Sequence, residues 1–160
     1  MAELNAISDG SHLKNANAYI ETVAAGSTLT LTRLKHAGKL IQLDTLTGST
    51  VTLPAATGSG AIYQFVVSVL ATSNSHIIQT SATTEHMQGW AMVYDAATST
   101  AQEVFRAATT SDTITLNGTT TGNVTVGEWI TIIDVASTIH HVRAYTGADT
   151  DPATPFSAAV

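Results

Sequence analysis

Ala61-Ile62-Tyr63-Gln64-Phe65-Val66-Val67-Ser68-Val69-Leu70 is the stretch on which the fold turns. Side chains two apart share a face of an extended chain. Tyr63, Phe65, Val67 and Val69 therefore line one face, and Ile62, Val66 and Leu70 line the other. A strand that is apolar on both faces belongs in the middle of a sandwich or at a contact between subunits. The run from Phe65 to Leu70 is broken by Ser68 and is far too short to span a bilayer, so no membrane partner is expected.

Upstream, Thr28-Leu29-Thr30-Leu31-Thr32 alternates strictly, with leucines on one face and threonines on the other. Lys39–Asp44 and Thr50–Leu53 repeat the pattern across Thr47-Gly48-Ser49, and Pro54 with Thr57-Gly58-Ser59-Gly60 closes it. Downstream come Ser75–Thr80, Met87–Tyr94 around Trp90, and Gln102–Arg106 around Phe105. Asp112–Leu116 meets Asn117-Gly118, a strong hairpin signal, so Glu128–Val135 is predicted to return beside it. Ile139–Tyr145 is the last strand. Threonine is β-branched and stiff, which suits strands and penalises helix interiors. About ten strands and no amphipathic helix predict an all-β domain over residues 27–160, an antiparallel β-sandwich of jelly-roll-like form or a barrel.

Residues 1–26 read differently. Leu4, Ile7, Leu13, Tyr19 and Ile20 are scattered among Asn, Ser, Asp and Gly with no sustained period. This segment is expected to be an extended N-terminal arm that orders on a neighbouring subunit or partner, and those five residues are its predicted contacts. A short helix over Asn15–Val23 is compatible with the pattern, ending at Ala24-Ala25-Gly26-Ser27.

Composition narrows the function. The chain has 160 residues, with 6 Lys+Arg against 12 Asp+Glu, a net charge of −6, and only 11% charged residues. Binding to nucleic acid draws on clustered Lys and Arg, so nucleic acid is not an expected partner. A hydrophobic fraction of 44% argues against wholesale disorder, and the absence of cysteine excludes disulfides, zinc–thiolate sites and thiol nucleophiles. Met1-Ala2-Glu3-Leu4-Asn5 shows no basic region followed by an apolar run, so synthesis and assembly in the cytoplasm are expected.

No catalytic pattern emerges. Among the 6 histidines, His140-His141 is the adjacent pair, and neighbours on a strand point to opposite faces, so they cannot chelate one ion. There is no His-x-His or HExxH spacing, and no metal or cofactor is expected. Asp44, Glu85, Asp95, Glu103, Asp112, Glu128 and Asp134 are dispersed, and Asp149-x-Asp151 reads as a solvated turn. Glycosidase chemistry needs two carboxylates at fixed separation across a cleft. Gly58-Ser59-Gly60 is not a nucleophile elbow, and Gly118–Gly122 lacks the lysine and helix of a phosphate loop. Tyr63, Phe65, Trp90, Tyr94, Phe105, Trp129 and Tyr145 fall in strand patterns, where core packing is the expectation.

One ordered series of segments carries a resemblance. It runs from Gly38–Gly60 through Phe65–Val69 and Ala71–Ile78, then Asp112–Gly122, Ile133–Ser137 and Thr154–Ser157. The series resembles small virion structural proteins of tailed bacteriophages, in particular capsid decoration (cement) proteins. That resemblance implies a non-enzymatic protein on the capsid exterior of the virion, a homotrimer bound to the major capsid protein, with no small-molecule substrate. One trimer touching several capsid subunits would bind by multivalency and stabilise the lattice that it prefers. Two alternatives compete. A receptor- or glycan-binding module of a tail fibre or tailspike would use Trp90 and Trp129, and a β-sandwich enzyme acting on polysaccharide would need the carboxylate pair that the spacing does not show.

Overall fold

A computed structural model describes residues 20–98 and 102–160. Its strands are β1 (Thr22–Ala24), β2 (Thr28–Thr30), β3 (Leu40–Leu43), β4 (Thr50–Thr52), β5 (Ile62–Val67), β6 (His76–Gln79), β7 (His86–Asp95), β8 (Gln102–Arg106), β9 (Thr113–Leu116), β10 (Trp129–Ala136), β11 (Ile139–Ala148) and β12 (Phe156–Ser157), with one helical turn, α1 (Arg33–His36). They form two sheets, one of seven strands in the order β1-β3-β5-β10-β11-β7-β8 and one of five in the order β12-β9-β6-β4-β2. The all-β sandwich expected from the sequence is the fold. Each sheet keeps its own open edges, which separates it from a barrel.

The pairing is mixed where antiparallel ladders were expected throughout. Five ladders are antiparallel and five are parallel. The cause is the path of the chain. From β1 to β6 each successive strand goes to the opposite sheet, so β1, β3 and β5 lie side by side in one sheet and β2, β4 and β6 in the other. A strand that leaves one sheet and returns after crossing the other must run in its original direction. Parallel register follows, as in Ile41 beside Phe65 and Val51 beside Ile78.

The same alternation undoes the predicted hairpin. β9 pairs with β6 and β12, whereas β10 lies in the other sheet between β5 and β11. Asn117-Gly118 still turns the chain, but as a cap: the Asn117 side-chain oxygen accepts the N–H groups of Thr119, Thr120 and Thr121 at 2.9, 2.8 and 3.2 Å. The turn launches a crossing to the opposite sheet. The boundary of the arm moves as well. Thr22–Ala24 pair with Leu40–Gln42 and Gly26 N–H donates to Asp44 at 2.8 Å, so residues 22–26 belong to the sandwich and no helix forms over the described part of Asn15–Val23.

The core lies between the sheets. Tyr63, Phe65 and Val67 of β5, Ile130 and Ile132 of β10, and Met87, Ala91 and Val93 of β7 share one buried core with Val51, Ile78, Ile114 and Leu116 of the smaller sheet and with Leu31 and Leu53, which directly follow β2 and β4. The packing is close enough to dictate backbone at Gly89. Its φ is +141°, and a Cβ there would be driven into the Val142 carbonyl of β11. Among the described residues, no helix is long and apolar enough to cross a membrane.

Candidate functional site

At the ends of the sandwich, buried carboxylates hold the loops. Asp134, near the end of β10, accepts the N–H groups of Thr57, Gly58 and Ser59 at 2.9, 2.7 and 3.0 Å and the hydroxyls of Thr57 and Ser59 at 3.1 and 2.6 Å. Burial pushes its carboxyl up, but these hydrogen bonds outweigh burial and bring it down to about 2. Glu85 accepts from Ala56 N–H at 2.7 Å and from both Ser81 donors at 3.1 and 2.6 Å. Glu128 gathers the N–H groups of Asn123, Val124 and Thr125 at 2.6, 2.9 and 2.9 Å, and burial raises its carboxyl despite them. Asp112 ties the C-terminal segment through Ala159 N–H at 2.8 Å. A carboxylate occupied in this way is a hub for a loop, and moving its proton would undo the loop it organises.

A cleft of about 300 Å³ does open beside Asp134, lined by Arg33, Pro54, Tyr63 and Ser59 among others. α1 places Arg33 there. Burial raises the Tyr63 hydroxyl, the Asp134 charge adds to that, and Arg33 opposes it. A phenol kept protonated beside a carboxylate held anionic has neither a base nor an acid poised near neutrality.

The histidines divide as strand geometry requires. His140 points inward and is fully buried, while His141 lies on the opposite face. Burial lowers His140 against the opposing charges of Glu85 and Asp134. His76 is a satisfied interior group: its Nδ1 accepts Ser49 N–H at 3.0 Å and its Nε2 faces the Val69 carbonyl at 2.9 Å. Among the described residues, no three metal-ligating side chains converge.

The outer face of the seven-stranded sheet is the surface that stands out. Aromatic residues expected in the core lie on it. Trp90 is 39% exposed and Tyr145 50%, and Tyr94 stacks on Tyr145 with centroids 5.4 Å apart. Trp129 is half-buried, its indole N–H donating to Thr131 Oγ1 at 3.1 Å. The expected strand patterns hold for these residues but core packing does not, because the position of the second sheet decides which face of a strand is interior.

Two registered rows describe this face. One runs Ala24, Gln42, Val66, Trp129, Tyr145, Met92, Val104, and the next runs Thr22, Leu40, Gln64, Thr131, Arg143, Trp90, Arg106. From β1 to β10 these positions carry no charge. From β11 to β8 the same rows acquire Arg143 and Arg106, with His141 beside them. Against this second half lies a cavity of about 430 Å³, lined by Gln88, Gly89, Trp90, Val104, Arg106, Ala107, Thr109 and His141.

Of the predicted contact residues, Leu4, Ile7, Leu13 and Tyr19 lie outside the described residues. Ile20 is 47% exposed, just before β1 at the edge of the seven-stranded sheet. Sequence reasoning missed Gln88, Arg106 and Arg143. The signal that could have found them was a same-parity set, Gln88-x-Trp90-x-Met92, which gains its arginines only from neighbouring strands. No known family model, curated protein or solved structure matches this chain.

Proposed function

We propose that this chain is a non-enzymatic capsid decoration protein that binds the outside of a mature phage head as a homotrimer and bridges neighbouring copies of the major capsid protein. The observation that carries the reading is the uncharged half of the outer face, where Leu40, Ile62, Val66 and Ile133 stand among Thr and Gln side chains. Apolar atoms supply the driving force there, and amides and hydroxyls can pair with backbone across a flat contact without burying an ion. The segment that holds Leu4, Ile7, Leu13 and Tyr19 joins the chain at β1, the edge strand next to this half of the sheet, and an arm and a face that engage one surface would bind multivalently.

The test is cosedimentation of the purified chain with expanded empty heads and with unexpanded shells of the encoding phage, alongside native mass measurement. Saturable binding to expanded heads by a trimer is expected, and Ile62→Asp or deletion of residues 2–19 should weaken it. The deletion stops at Tyr19 because residues 22–26 are built into the sheet. A monomer that ignores expanded heads overturns the reading. A second reading, a receptor- or glycan-binding module of a tail fibre or tailspike, is favoured by one observation, the exposure of Trp90 beside a cavity.

A further inference from the structure

The charged half of the outer face brings together three things that no other described part of the surface combines: an exposed indole, two arginines registered on either side of it, and a concavity. Trp90 on β7 lies opposite Arg106 on β8 and beside Arg143 on β11. Arg143 Nε donates to His141 Nε2 at 3.3 Å, which orients the guanidinium along the strand and leaves its terminal N–H groups for a ligand. Among the described residues the one ion pair is Lys39–Glu21, so neither Arg106 nor Arg143 has a carboxylate partner. Arg106 lines the cavity and Arg143 is registered beside Trp90, so in a chain of net charge −6 this spot gathers guanidinium charge that no described carboxylate pairs with, a setting suited to an anion.

We propose that this cavity binds a saccharide ring bearing a carboxylate, such as a uronic acid within a longer glycan. A pyranose has one face of C–H bonds, which lies against the electron-rich face of an indole. The guanidinium fork matches a carboxylate in plane and spacing, a match that lysine does not offer. Gln88 and Thr109 on the cavity wall are neutral donors and acceptors of the kind that fix ring hydroxyls. A cavity of about 430 Å³ suits one to two sugar rings. A second copy of the chain is a poorer occupant, because a twofold contact through this patch would bring Arg106 and Arg143 against their own equivalents. The patch also lies toward the far side of the sheet from β1, with Trp90 on β7 five strand spacings away, or roughly 24 Å at ~4.8 Å each. A molecule gripping a surface from the β1 side keeps this cavity open.

The inference sharpens the glycan-binding reading and does not depend on head binding. The experiment is a glycan array carrying uronic and sialic acid glycans, their methyl esters, sulfated glycans and neutral glycans, probed with the full chain. Titration of the best-retained carboxylated glycan then uses Trp129→Phe, which leaves Trp90 as the sole tryptophan reporter, since the chain has two. Retention of carboxylated glycans is expected, with a change in Trp90 fluorescence and a loss of roughly tenfold or more on methyl esterification or in Arg106→Gln. Trp90→Ala should abolish retention, with folding confirmed by circular dichroism. Retention of no carboxylated glycan, equal retention of acid and ester, preference for sulfated glycans, or binding unchanged in both Trp90→Ala and Arg106→Gln would each overturn the proposal.

Discussion

The two faces of the seven-stranded sheet are built from the same strands and nearly the same residue types, yet they do opposite work. On β5, Tyr63, Phe65 and Val67 are closed off from solvent, whereas Ile62 one residue away is 42% exposed. On β11, Val142 and Ala144 are buried while Arg143 and Tyr145 are exposed. The difference does not lie in hydrophobicity along the strand. It comes from the five-stranded sheet, which covers one side, while among the described residues no second layer of strands covers the other. Exposed apolar groups on a sheet held rigid from beneath are a surface for contacts, whereas the same groups beneath it set stability.

Breaking the inner face should give the largest effect. Phe65→Ala removes a fully buried ring and is expected to lower unfolding free energy by about 3–5 kcal/mol, read from the urea midpoint at constant m-value. Next are the clamps at the rim. Asp134→Ala strands the N–H groups of Thr57, Gly58 and Ser59 and should lower stability by about 1–3 kcal/mol. Because the Asp134 carboxyl sits at about 2 when folded, below the ~3.9 of an unfolded aspartate, its contribution is present above pH ~4 and is lost as pH falls toward 2. Urea midpoints measured across that window should therefore slope less in Asp134→Asn than in the parent.

A smaller effect belongs to His140. Its folded pKa lies below the unfolded value of ~6.5, so the unfolded state takes up protons first, and stability should decline as pH drops below that point. Replacing it with Leu should flatten the urea midpoint between pH 7 and pH 5, and an unchanged slope would mean that other groups govern this range. The smallest change belongs to the outer face. Tyr145→Ser should move stability by no more than ~0.5 kcal/mol, and a larger loss would show that the outer face supports the fold as well as contacts.

Much of this contrast could be read from residues in order. The alternation at Thr28–Thr32, Lys39–Asp44 and Ala61–Leu70 set out the strands and their two faces, and the doubly apolar strand did end up near the middle of its sheet. Pairing direction could not be read that way. Short-range turn signals speak only for neighbours in sequence, and from β1 to β6 neighbours in sequence are never neighbours in a sheet. The Trp90 site was half legible. Trp90 itself attracted notice, but Arg106 and Arg143 join it only through β8 and β11, whose registers are properties of the assembled sheet. The roles of Asp134 and Glu85 as clamps were hidden for the same reason, since Asp134 holds Thr57–Ser59 from a strand far along the chain.

The placement of β1 and β2 has a mechanical corollary. One forms the rim of the larger sheet and the other the rim of the smaller, and each is only three residues long. A pull on the segment before β1 would load these two short ladders one after the other, opening each a hydrogen bond at a time like a zip. β11, gripped along ten residues by β7 and along seven by β10, would have to shear across both partners at once. The short edge ladders of β1 and β2 therefore yield to force more readily than the strand that carries Arg143.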